Sequence, residues 1–347
     1  MSVEKFISEL AAVGSATETL TKYQINLRQF SEVLGKDFEA CTKDDIIRAL
    51  AWLERQPFKP GTKSKKKEHL KRYFQWLRGC ERKQYPPEVS WFTTSVKYRD
   101  RIAPEDVLTE EEILQAIEKM PSVRNKALFS FLYDIGPRPH EFLKLRIQNT
   151  PFDDYSYTVR IPSGTKTGFR RVRGTISTPY LKQWLGIHPR KKEMSAPLFV
   201  VHYCKKEKAG LSYDGLRRIC QMNAKYFPDK RIYPYVFRHS RATHLAKIMT
   251  EAQLCQHFGW AQGSRMPRIY VHLSGRDLDA TLLGAYGLKE MRKEEQDGKP
   301  RRCPICQEIN PPNADTCWKC LRPLDIIQGE EELLDRIIQR MQEKGII

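Results

Sequence analysis

Residues 233–272 carry three informative pieces: Tyr233-Pro234-Tyr235-Val236-Phe237-Arg238-His239, then Phe258-Gly259-Trp260, then Arg268-Ile269-Tyr270-Val271-His272. Thr250 with Gln253 three residues on is a capping box that opens a helix, and Gly259 suits its left-handed stop. Trp260 is therefore expected to emerge from a helix end. Tyr270 should follow on a short second helix after Gly263-Ser264. An arginine, an indole and a phenol brought together this way suit one chemistry. The phenol attacks a phosphodiester while the other two hold the phosphate.

Two further pieces lie upstream. Gly136-Pro137-Arg138-Pro139-His140-Glu141 starts a helix after the apolar run Ala127-Leu128-Phe129-Ser130-Phe131-Leu132. Gly164-Thr165-Lys166-Thr167-Gly168 separates two alternating, strand-like segments, 157–162 and 171–176, which predicts a β-hairpin with Lys166 at its tip. In order the set is Arg138, Lys166, Tyr235-x-x-Arg238, Trp260 and Tyr270. This resembles the tyrosine recombinases, the phage integrase family, over residues 108–287. Each piece alone is common in proteins, and the specificity comes from their order and context.

The residue types answer the needs of metal-free phosphodiester cleavage: a nucleophile, charge stabilisation for the phosphorane, and a proton for the leaving oxygen. Tyr270 would store the bond energy as a 3′-phosphotyrosine, so religation needs neither ATP nor a catalytic metal. Arg138 and Arg238 offer planar forks for non-bridging phosphate oxygens. Lys166 is the candidate general acid for the 5′ oxygen. Trp260 packs where many relatives carry histidine, and Glu141, one turn from Arg138, orients that region. One departure stands out. The family's usual histidine before the second arginine is Tyr235, a hydrogen-bond donor but a poor proton acceptor. His239 falls where relatives commonly carry histidine and is read as structural.

Residues 1–82 read as an all-helical unit. Ser15-x-x-Glu18 and Thr42-x-x-Asp45 are capping boxes ahead of apolar stripes, and Gly61 precedes a further helix with Leu70, Phe74 and Leu77 on one side. Its opening carries Lys63, Lys65, Lys66, Lys67, Lys71 and Arg72. In a neutral protein such a run is a solvated face. Here the formal net charge is +18, with a sequence pI near 9.5, and a balance that basic favours a polyanion. The six are expected to clamp a DNA backbone. The resemblance implies the same, with the helical domain gripping duplex from the face opposite the catalytic one.

The remaining expected boundaries are a proline-bearing linker at 83–105, a mostly α catalytic domain with a small β-hairpin region at 106–288, and a charged linker at 289–302. Cys303-x-x-Cys306 and Cys317-x-x-Cys320 follow at 303–325. Two such knuckles on a segment too small for its own core read as a structural Zn²⁺ ribbon rather than disulfides or a redox pair. A ribbon appended to a recombinase resembles archaeal family members. Residues 326–347 read as an amphipathic helix. No apolar run is long enough to span a bilayer and no signal peptide is visible, so the expected place is the cytoplasm, associated with the nucleoid.

The reading is thus a site-specific DNA recombinase or integrase. By resemblance it acts as a homotetramer on paired sites in double-stranded DNA, with accessory bending or directionality proteins as further partners. Two other readings use the same residues. A type IB topoisomerase-like enzyme relaxes DNA without synapsis, and a non-catalytic regulator binds DNA without cutting it.

Overall fold

The computed structural model describes residues 2–95, 106–162, 169–201, 209–273 and 300–325. The chain divides into two compact units, Met1–Ile102 and Ala103–Ile347.

The described part of the first unit is helical: α1 (Ser2–Ala12), α2 (Thr17–Leu34), α3 (Lys43–Arg55), α4 (Pro60–Leu77) and a single turn, α5 (Pro87–Ser90). Thr42 and Asp45 form the anticipated capping box of α3. Ser15 does not cap α2. That helix starts one residue later, with Ala16 as an N-cap that gives no side-chain bond. Pro60 rather than Gly61 opens α4, its missing N–H falling where the helix has no acceptor to offer. Leu27, Phe30, Ile46, Leu53, Leu70, Tyr73 and Phe74 make the core. Part of the expected linker belongs to this unit, since Val89 and Phe92 pack into the same core.

The second unit builds its core around α7 (Val123–Ile135), nearly every residue of which is buried. Around it lie α6 (Glu110–Lys119), α8 (Pro139–Lys144), α9 (Thr178–Ile187), α10 (Tyr213–Asn223) and α11 (Pro234–Leu245). Strands β1 (Tyr157–Ile161) and β2 (Arg170–Gly174) pair antiparallel, Tyr157 opposite Gly174 and Ile161 opposite Arg170. The two strands pair as anticipated, the second starting one residue earlier and ending two earlier than expected; the connection between them, with Lys166, lies outside the described residues. Two short helices, α12 (Glu251–Phe258) and α13 (Met266–Leu273), complete the region. Beneath the site, Asp134 of α7 accepts from the backbone N–H groups of Thr175 and Ser177 at 2.6 and 3.0 Å and from Arg241 Nη2 at 3.1 Å. One fully buried carboxylate so ties α7, α11 and the turn into α9 together.

Two minimal strands, β3 (Arg301–Arg302) and β4 (Ile309–Asn310), lie in the ribbon region. It sits against the catalytic unit through Glu308, which takes Lys182 of α9, and Arg302, which donates to the Asp154 carbonyl at 3.0 Å. The anticipated terminal helix at 326–347 and the charged linker up to 299 fall outside the described residues.

Candidate active site

The site forms where three arginines meet the C-terminal end of α12. That end is capped as the sequence implies: Thr250 and Gln253 close the capping box, and Gly259 adopts φ +62° with its N–H on the Cys255 carbonyl. A helix end leaves carbonyls without intrahelical donors and carries partial negative charge. Arginines take them. Arg238 Nη2 donates to the Phe258 carbonyl at 2.8 Å, and Arg138 Nη2 to that of Gly259 at 3.1 Å. Arg170 Nε donates to the His257 carbonyl at 3.2 Å.

Arg138 is the N-cap of α8, placed there by Pro139 at the first helical position. Before it, Gly136 ends α7 in the left-handed region, φ +58°, and a Cβ there would stand 2.7 Å from Phe258 Cε1. Only glycine meets both conditions, and its carbonyl accepts Arg238 Nη1 at 2.7 Å. Glu141, fully buried, accepts Arg138 Nη1 at 2.9 Å and Arg170 through two bonds of 2.8 and 2.6 Å. Burial alone would raise the Glu141 pKa, but Arg170 and then Arg138 hold it down to about 2. Sequence reading offers Arg170 only as an alternative acid, beside Arg171, should Lys166 fail, and not as a member of this cluster. Its signal was weak, being one of three cations in the stretch Arg170-Arg171-Val172-Arg173.

Two guanidiniums thus bond one carboxylate, and a third, Arg238, has backbone carbonyls as its partners and feels Glu141 only through space. Burial, together with the Arg138 and Arg170 charges, lowers the Arg238 pKa to about 9. The cluster is short of negative charge, which is the condition for binding an anion such as a phosphodiester.

Tyr270 of α13 is buried, at 1% exposure. Its ring stacks on Trp260 with centroids 5.3 Å apart and planes 6° apart, and Trp260 in turn stacks on Phe258 at 4.9 Å. The Arg238 guanidinium lies 5.6 Å from the Trp260 ring centre. Burial raises the Tyr270 pKa to about 12, with Arg238 pulling the other way. Its hydroxyl bonds His239 Nδ1 at 2.8 Å. Tyr235, in the first turn of α11 and more exposed, has its ring 6.0 Å from that of His239. Of the six expected catalytic residues, five are therefore close around one spot, and Lys166 falls outside the described residues.

The lysines of α4 divide. Lys65 and Arg72 are exposed, Lys65 paired with Glu68 at 2.6 Å and Arg72 Nη1 on Gln75 at 2.7 Å. Lys63 and Lys67 both reach Glu54, at 3.4 and 2.7 Å. Lys71 donates to the Phe92 carbonyl at 2.7 Å and lies over the Tyr85 ring at 4.5 Å. Lys66 points inward, buried against Asn26 and Gln29 and over Phe58. Position explains it, because Lys66 shares the helical face of Leu70 and Tyr73.

In the ribbon, the sulfurs of Cys303, Cys306, Cys317 and Cys320 lie within 4.8 Å of one another, with Cys303–Cys320 at 3.6 Å and Cys306–Cys317 at 3.5 Å. Four thiolates at about 2.3 Å from a tetrahedral ion stand roughly 3.8 Å apart, so the donor set fits Zn²⁺. The two knuckles repeat one backbone pattern. Gln307 and Leu321, each just after the second cysteine, adopt φ +58° and +61° and return their N–H to the carbonyls of Cys303 and Cys317.

With this geometry in view, the comparisons with known proteins agree among themselves. The phage integrase family matches residues 106–276. The chain is 21% identical to tyrosine recombinase XerC of Chromobacterium violaceum, over 85% of this chain and 98% of that one. It is 25% identical to tyrosine recombinase XerA of Pyrococcus furiosus, over 80% and 91%. Among solved structures, a lambda integrase dimer bound to a COC′ core site superposes with a TM-score of 0.61 at 15% identity, over 80% of this chain and 77% of that one. The XerH recombinase bound to its difH substrate gives 0.57 at 19%, over 78% and 82%. The family match and the curated relatives identify an enzyme that breaks and rejoins DNA strands. The chain belongs to the phage integrase family and is a tyrosine recombinase.

Proposed function

We propose that this protein is a site-specific recombinase in which Tyr270 attacks a DNA phosphodiester to form a 3′-phosphotyrosine. The observation that carries it is the Tyr270 phenol, stacked on Trp260 and set beside the cluster of Arg138, Arg170 and Arg238. Arg138 and Arg238 bind the non-bridging oxygens and stabilise the charge that builds on them as the P–Oη bond forms and the P–O5′ bond breaks. Lys166, on the hairpin between β1 and β2, delivers the proton to the departing 5′ oxygen. Religation reverses the steps with an incoming 5′ hydroxyl, so the bond energy is kept in the ester.

DNA is the polyanion that the +18 charge calls for, and the exposed cations of α4 would track its backbone. A lambda integrase tetramer bound to a Holliday junction supports a homotetramer on paired sites; accessory bending or directionality proteins would be further partners. The four ribbon cysteines would hold a structural Zn²⁺. The expected setting is the cytoplasm and the nucleoid. Among the described residues no helix is long and apolar enough to cross a membrane.

A nicked suicide duplex carrying the target site tests the reading. The expected result is a covalent adduct that mass spectrometry places on Tyr270, and none with Tyr270→Phe, which still binds. An adduct on Tyr286 instead, or undiminished cleavage by the Phe variant, would remove Tyr270 from its role. Exchange between two sites then separates recombination from simple relaxation.

A further inference from the structure

We infer that His239 is the catalytic base of this site, taking the Tyr270 proton through its Nδ1 atom as the phenol attacks phosphorus; this rests on Tyr270 being the nucleophile. In the family's usual arrangement a histidine precedes the second arginine by three residues. Here that position is Tyr235, and a neutral phenol does not accept a proton readily. The acceptor has to come from elsewhere. One turn further along the same face of α11, His239 Nδ1 lies 2.8 Å from Tyr270 Oη, with the two rings 6.1 Å apart and inclined by 23°.

The protonation state suits the role. Burial and the adjacent Arg238 lower the His239 pKa to about 4, so at neutral pH the imidazole is uncharged, and in its Nε2–H tautomer Nδ1 offers the phenol a lone pair. With Tyr270 raised to about 12, complete transfer in the resting site would be far uphill. The proton must move together with P–Oη bond formation, as phenolate character develops and the phosphate anion beside the ring favours the imidazolium. The balance closes. Oη loses its proton to Nδ1, the P–Oη bond forms, the P–O5′ bond breaks, and the 5′ oxygen is protonated by a separate acid. In religation the imidazolium returns its proton to the departing phenolate.

The test is single-turnover cleavage of the suicide duplex at saturating DNA by the full-length protein. His239→Ala should cleave on the order of 10²–10³-fold more slowly, with added imidazole restoring part of the rate and the adduct still on Tyr270. His239→Asn separates a base from a mere hydrogen-bond acceptor, because its amide oxygen accepts from the phenol but takes no proton. It should be as slow as the alanine variant. Wild-type cleavage by either variant overturns the assignment of His239. A wild-type protein that forms no adduct on Tyr270 fails earlier, at the nucleophile, and removes the premise instead.

Discussion

Glu141 is the residue on which the arginine cluster balances. It is fully buried and satisfied by charged donors on both oxygens. Glu141→Gln keeps the shape but leaves Arg138 and Arg170 without their counter-charge. Breaking a buried pair from one side typically costs about 3–5 kcal/mol. The sign of its pH dependence follows from its pKa, about 2 in the folded protein against the ordinary 4.5. Its contribution is complete above the unfolded value and is lost as pH falls from there towards 2. Urea unfolding should therefore show the Gln variant weakened at pH 7, with the gap to wild type narrowing below pH 4. A gap unchanged between pH 7 and 3 would mean that the carboxylate's charge is not what stabilises the cluster. Little of this was open to sequence reading. Glu141 one turn from Arg138 was legible because helical periodicity is local. Arg170 was not, since its tie to Glu141 spans 29 residues and needs the hairpin and α8 to be side by side. The bond from His239 to Tyr270 was hidden for the same reason, as it depends on how α11 and α13 meet.

At the scale of elements, α4 makes a sharp prediction about charge. Six cations open this helix, but the 3.6-residue period divides them between solvent and core. Each phosphate contact contributes nearly one unit to the salt dependence of binding, about 0.9 per contact on duplex DNA. Lys65→Ala and Arg72→Ala should each lower the slope of log affinity against log salt by about that amount. Lys66→Ala should leave the slope unchanged and instead weaken the helical unit, since its ammonium satisfies Asn26 and Gln29 inside it. Equal slope changes for all three would return Lys66 to the DNA face. The hairpin between β1 and β2 makes a second. If Lys166 acts only on the leaving oxygen, a substrate with sulfur at the bridging 5′ position needs little protonation. Lys166→Ala should be very slow on ordinary DNA and near wild type on the sulfur substrate, while Arg138→Ala stays impaired on both. An equal deficit on the two substrates at saturation excludes Lys166 as the acid and turns attention to Arg170 or Arg171. Strand and cap positions were readable here because alternation and capping boxes are short-range signals. Ser15 misled because a capping box needs the backbone to turn at the serine, and α2 turns at Ala16 instead.

For the whole molecule, the order of motifs along the chain carried the family reading, and the fold supplies its reason: residues up to 132 positions apart, from Arg138 to Tyr270, converge on one helix end. The ribbon is the opposite case: its four cysteines are close in sequence, so their clustering was legible in the spacing. Its core is the cysteines themselves with Leu324, too little apolar surface to hold a fold of its own. If the cysteines bind Zn²⁺ as proposed, the metal supplies the folding free energy, typically about 10–16 kcal/mol for a structural site at neutral pH. Leu321 in the left-handed region adds a strain that the bound ion would offset. Elemental analysis should find one Zn²⁺ per chain, lost when Cys303, Cys306, Cys317 and Cys320 are all replaced by serine. Chelation should open the segment around 300–325 to protease while α6 to α13 stay protected, because the core of that unit is built without ribbon residues. Tyr270 cleavage should survive the loss, since the ribbon supplies no group to the arginine cluster. Zinc retained by the four-serine variant would place the metal elsewhere, and a catalytic unit that unfolds together with the ribbon would make the ribbon part of its core.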